Sequence, residues 1–179
     1  MARYITCMEV NSSFYALPQA KHTSTWAGYL EPWPDFRMIL KLHQGFTHEP
    51  WDGPRAEDAA RVFAEALVPL KRRKILGGIL VQFPISFIWS ASSAQRLGHI
   101  RALFEAETLI LELRHHSWFE PPALNSIRGL GYSLAHIDLP PAWNHPPERH
   151  APTGPIGYLR LPARHREQWF HPERGRDQP

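Results

Sequence analysis

Residues 79–113, ILVQFPISFIWSASSAQRLGHIRALFEAETLILEL, decide the fold class. Ile79 to Phe83 is a short apolar run that stops at Pro84, a residue with no amide to give a sheet ladder. Ser92 and Gln95 then form a capping-box pattern ahead of Leu97, Ile100, Leu103 and Phe104, which recur at the spacing of a buried helix face. Leu109 to Leu113 is a second apolar run of strand length. Two strands with apolar residues on both faces, joined by a helix, predict parallel pairing through a right-handed crossover.

The same unit recurs on either side. Upstream, Ile5 to Val10 reads as a strand entering a turn at Asn11-Ser12-Ser13, and Phe36 to Leu42 as another. Between them Pro18 to Trp26 suits a short helix with Ala20, Trp26 and Leu30 facing inward, ended by Pro32 and Pro34. Asp52-Gly53-Pro54 opens a longer helix with Val62, Phe63, Ala66, Leu67 and Leu70 on one face, closed by Lys71-Arg72-Arg73-Lys74. Downstream, Pro121 and Pro122 introduce a helix through Leu124, Ile127 and Leu130, and Tyr132 to Leu139 and Ile156 to Leu161 are the last two strands. Six strands alternating with helices predict an α/β fold. No glycine-rich phosphate loop follows the first strand, so a parallel β/α (TIM-type) barrel is favoured over an open doubly wound sheet.

Composition bounds the rest. A chain of 179 residues with 43% hydrophobic content supports one core, predicting a single partial barrel domain over 1–164 and a polar tail over 165–179. The 20 basic residues barely exceed the 17 acidic ones, which permits a small anionic ligand and supports nucleic-acid binding only weakly. The single Cys7 rules out an internal disulfide and points to a reducing cytoplasm. No apolar run approaches the roughly 18 residues of a membrane helix, so no membrane partner is expected.

Alternate side chains of a strand face the same side, which sorts the polar residues. Glu9 and Asn11 share a face, Lys41 and Gln82 end their strands, Glu112 and Arg114 share a face, as do His136 and Asp138, and Arg160 closes the last strand. In a barrel these C-terminal strand ends converge on one mouth, where ligands and catalytic groups collect. Burying so many charges in an unliganded core would cost several kcal/mol per unpaired ion, on the order of the penalty for any isolated buried charge.

Glu9-Val10-Asn11-Ser12-Ser13-Phe14-Tyr15, Leu17-Pro18, Lys41, Thr47-His48, Leu80-Val81-Gln82-Phe83-Pro84, Glu112-Leu113-Arg114-His115, Ser117-Trp118-Phe119, Asp138 and Tyr158-Leu159-Arg160-Leu161 together resemble the YecE-like family, domain of unknown function 72. The resemblance runs over about residues 4–161 and implies a TIM barrel with no established activity. It matches strands two to seven of eight, which implies two unpaired barrel edges that an oligomer or partner would cover. Pro162-Ala163 stands where the family commonly has His-Gly, and His116 where it has proline.

Three functions follow. The first is an enzyme on a phosphorylated or carboxylated substrate. Here Lys41, Arg114 and Arg160 hold the anion, Asn11, Tyr15, Gln82, His115 and Trp118 line the site, and Glu9, Glu112 or Asp138 moves a proton. The second is a metal-dependent hydrolase, nuclease-like, drawing ligands from Glu9, Glu112, His136, Asp138, His115 and His48. The third is non-catalytic, a binding or interaction module or a decayed fragment of a family member. Tyr15 and Trp118 are expected to wall the pocket, and Phe14 and Phe119 to pack.

Overall fold

In the computed structural model, which describes residues 4–139 and 142–161, the strands are β1 (Cys7–Val10), β2 (Arg37–Lys41), β3 (Leu76–Gln82), β4 (Leu109–Glu112), β5 (Ser133–Leu134), β6 (His136–Ile137) and β7 (Leu159–Arg160). The first five pair in the order β1-β2-β3-β4-β5, all parallel, and β6 pairs in parallel with β7. β5 and β6 are the two halves of one expected strand. Ala135 between them donates its amide to Leu111 and His136 donates to Tyr158, so the chain leaves one ladder and enters the next without a turn.

The helices are α1 (Ser12–Tyr15), α2 (Ala20–Tyr29), α3 (Gln44–Thr47), α4 (Gly53–Arg72), α5 (Ala91–Leu103) and α6 (Pro121–Gly129), with a 3-10 turn at His116–Phe119. Strands in sequential order with no reversal leave no switch point of the doubly wound kind. The result is an arc of parallel β/α units, and among the described residues β1 and β7 each pair on one side only.

Two apolar layers flank the arc. The outer one joins Met38, Leu40, Ile79, Val81, Leu109 and Leu111 of the strands to Phe63, Leu67, Leu70, Leu97, Ile100 and Ile127 of the helices. The inner one contains, among the described residues, Ile39, Leu80, Ile110 and Ala135, with Ile156 and Tyr158 against them. At Gly78 the backbone approaches so closely that a Cβ would lie 2.9 Å from the Thr108 carbonyl oxygen, and its φ of +155° is one that other residues rarely take. The β2–β3 register shifts beside it, between Met38 and Ile39.

Several local expectations need correction. The cap of α5 is Ser90, whose Oγ accepts the Ser93 amide at 3.1 Å; Ser92 lies inside the first turn. In α2 the fully buried positions are Thr23 and Ala27; Trp26 and Leu30 are half-buried and pack against the core as expected, whereas Ala20, the first residue of the helix, is exposed. Val62 of α4 is exposed, its neighbour Phe63 taking the inward position. Asp52 does cap α4, accepting the Arg55 amide. Pro162-Ala163 and the tail over 165–179 lie outside the described residues.

Candidate functional site

The inner layer forms a floor, and above it the residues at the C-terminal strand ends turn polar. Glu9 pairs in register with Ile39, Lys41 with Leu80, and Gln82 with Glu112, so strand periodicity alone aims all four polar side chains into the arc. Ile137 pairs with Arg160, which puts Arg160 on the same inner side.

Arg160 is the hub. Its Nη2 donates to Glu9 Oε1 at 2.8 Å, and its Nη1 donates to Glu112 Oε2 at 2.9 Å and Gln82 Oε1 at 3.0 Å. Arg114 Nε donates to the other oxygen of Glu112 at 2.8 Å, and the Tyr158 hydroxyl donates to the other oxygen of Glu9 at 2.7 Å. Both carboxylates are therefore held at both oxygens. Glu112 has no exposed side-chain surface, and Glu9 keeps 17%. Burial works against the charge of Arg160, but Glu112 and Glu9 beside it outweigh that and raise its pKa. Burial, and then the Glu9 carboxylate that accepts its hydrogen bond, push the Tyr158 phenol far above its ordinary value.

Lys41 has a different environment. Its side chain is buried, its Nζ sits 4.0 Å from the centroid of the Phe14 ring, and no carboxylate pairs with it among the described residues. Ser13 fixes that ring's helix, its hydroxyl lying 2.7 Å from the Lys41 carbonyl and 2.9 Å from that of Val10. Desolvation, then the Arg160 charge, lowers the Lys41 pKa against a smaller pull from Glu112 and Glu9. The Nη groups of Arg114 likewise donate to no described residue. With Lys41, Arg114 and Arg160 facing Glu9 and Glu112, the mouth carries one more cation than anion.

The remaining expected residues separate. Asn11 and Tyr15 are exposed at the rim, Tyr15 lying edge-on to Phe14 at 5.0 Å. His115 caps the 3-10 turn: its Nδ1 accepts the Ser117 amide and lies 2.9 Å from the Ser117 hydroxyl, and burial followed by the neighbouring His116 lowers its pKa. Trp118 does not wall the pocket. It is fully buried, stacked on Phe87 with centroids 5.2 Å apart, and its indole N–H donates to the Phe87 carbonyl.

His136 and Asp138 are a further correction. His136 pairs in register with Leu159 while Arg160 pairs with Ile137, so His136 and Asp138 share the outer parity. His136 stacks on His150 at 3.8 Å, and both His136 and Asp138 line an outer cavity with His145, Glu148 and Arg149. Burial and then His150 lower the His136 pKa. Of the six expected metal ligands, Glu9 and Glu112 thus lie on the inner side and His136 and Asp138 on the outer, and no group of three His, Cys, Asp or Glu among the described residues is arranged to hold an ion. Cys7 is exposed on β1, and its thiol is raised rather than activated, by local desolvation first. Two contributors to the site were missed. Tyr158 lies two residues before Arg160, the strand spacing that would have placed it inside, and Phe14, which packs as expected, also carries Lys41 on its ring face.

Parallel β/α units in sequential order, with polar residues gathered at the carboxyl ends of the strands, make this an α/β protein of the TIM-barrel kind. The chain belongs to the family described as protein of unknown function DUF72, which matches residues 1–178. It is 26% identical to the UPF0759 protein YunF of Bacillus subtilis over 95% of this chain, and spans 63% of that relative's length. A crystal structure of a DUF72 family protein from Enterococcus faecalis shares the fold with a TM-score of 0.81 at 24% identity, over 91% of this chain and 68% of that one. One from Thermotoga maritima gives 0.78 at 25% identity, over 94% and 64%. No described helix is long and apolar enough to cross a membrane.

Proposed function

We propose that the mouth of the arc binds a small phosphorylated or carboxylated ligand through Lys41 and Arg114. The observation that carries this reading is the division of labour in the charge cluster. Both carboxylates and Arg160 are engaged with one another, whereas the Lys41 ammonium and the Arg114 Nη groups are left with donors to offer. A planar guanidinium presenting a free edge suits the paired oxygens of a phosphate or carboxylate. An anion would also remove the excess positive charge of the mouth.

Within this reading Glu112 positions Arg114 and Arg160, and Glu9, the partly exposed carboxylate, is the group placed to exchange a proton with a bound ligand. Asn11 and Tyr15 supply rim contacts. Calorimetric titration with inorganic phosphate and with 2-phosphoglycolate tests it. The Arg114→Ala variant is expected to bind at least about tenfold more weakly, the equivalent of one charge-assisted hydrogen bond. Binding unchanged in both Arg114→Ala and Lys41→Met would overturn it.

A further inference from the structure

Partial burial without a carboxylate partner disfavours the charged form of a lysine, here against a Phe14 ring face that favours it. No buried side-chain nitrogen or oxygen among the described residues lacks a hydrogen-bond partner, so the unpaired Lys41 Nζ must keep its tip open to the mouth. The stem is fixed on both sides, by the β2 ladder through its backbone and by the Phe14 face under its tip. The charged groups facing it are Arg160 of β7, Glu9 of β1, and Glu112 and Arg114 at the end of β4, with His48 on the far side of Phe14. Both carboxylates among them are engaged by arginine, and neither forms an ion pair with the lysine among the described residues.

We infer that Lys41 reacts as a neutral amine with the carbonyl carbon of a small aldehyde or ketone that carries a phosphate or carboxylate, forming an imine at Nζ. The choice of substrate class rests on the anion-binding reading above; the amine chemistry rests on the isolation of Nζ. The nitrogen lone pair forms the C–N bond as the carbonyl π pair moves to oxygen. Nitrogen then loses one proton to solvent and oxygen gains one, giving a carbinolamine. The remaining lone pair on nitrogen forms the C=N bond and expels the oxygen as hydroxide, which takes a proton and leaves as water. No oxidant or reductant takes part. The iminium retains the positive charge that Lys41 carried when protonated, and the substrate's own anion, against Arg114, offsets it. An iminium also acidifies the adjacent C–H, and Glu9 lies in the same mouth.

The chain has four lysines, Lys21, Lys41, Lys71 and Lys74, so three serve as internal controls. The full chain is incubated at neutral pH with glycolaldehyde phosphate and cyanoborohydride, and each lysine's modification is followed by peptide mass spectrometry. Lys41 is expected to be modified at least about fivefold faster than Lys21, Lys71 or Lys74, as a lysine activated by desolvation would be, and the preference should vanish in denaturant. Equal rates at all four lysines overturn the inference. If neutral glycolaldehyde modifies Lys41 as selectively as its phosphate ester, the amine chemistry stands and the anion reading fails. If phosphate binds in an Arg114-dependent manner while Lys41 shows no selectivity, the anion reading stands and this inference falls.

Discussion

The two faces of the one sheet are held by different forces. On the outer face, Met38, Leu40, Val81 and Leu111 meet Phe63, Leu67 and Ile100 in a dry layer whose stability scales with apolar area removed from water. On the inner face four small-to-medium apolar residues make a thin floor, and what lies above it is a set of charges that must satisfy one another. The outer side tolerates any well-shaped hydrocarbon. The inner side depends on which atom faces which, so it has the specificity that a binding site needs and little reserve of stability.

Substitutions can break that comparison. Phe63→Ala empties a fully buried position in the outer layer and should cost about 4 kcal/mol in denaturant unfolding. Glu112→Ala strips both arginines of a buried partner and should cost about 3 kcal/mol; a loss larger than that of Phe63→Ala would show that charge satisfaction dominates the fold. Tyr158→Phe removes one hydrogen bond to Glu9 and should cost about 1 kcal/mol by the same measurement. The smallest effect concerns pH. Lys41 releases its proton at a lower pH in the native protein than in the unfolded chain, so between those two values the unfolded chain binds more protons and stability rises with alkalinity. Lys41→Met should flatten that rise in thermal unfolding followed across alkaline pH, and an unchanged slope would show that its source lies elsewhere.

The α/β fold and much of the mouth were legible because both depend on periodicity within one strand. Glu9 and Glu112 were placed by alternation and Gln82 and Arg160 by their position at the ends of their strands, and the hydrogen bonds of Arg160 bring those four together. The failures occurred where a partner strand decides the side. His136 and Asp138 were correctly put on one face of their strand, but which face is inward depends on pairing with Leu159 and Arg160, which local sequence does not contain. Trp118 was misplaced for a similar reason. An aromatic residue in a strand-to-helix loop can line a pocket or fill a hole, and Phe87 and Trp89, some thirty residues earlier, settle the matter. The isolation of Lys41 was also illegible, since it follows from arginines having taken both carboxylates.

The reach of Arg160 has a consequence for the order of assembly. Its contact with Glu9 joins residues 151 apart in sequence, and that of Tyr158 joins residues 149 apart, so both close long loops and belong to the late events of folding. A chain emerging from the ribosome can build its outer layer unit by unit, while Glu9 and Glu112 wait for their counter-charge until residue 160 arrives. Weakening Arg160 should therefore leave the folding rate nearly unaltered and speed unfolding, so the lifetime of the completed site depends on the last bonds to form.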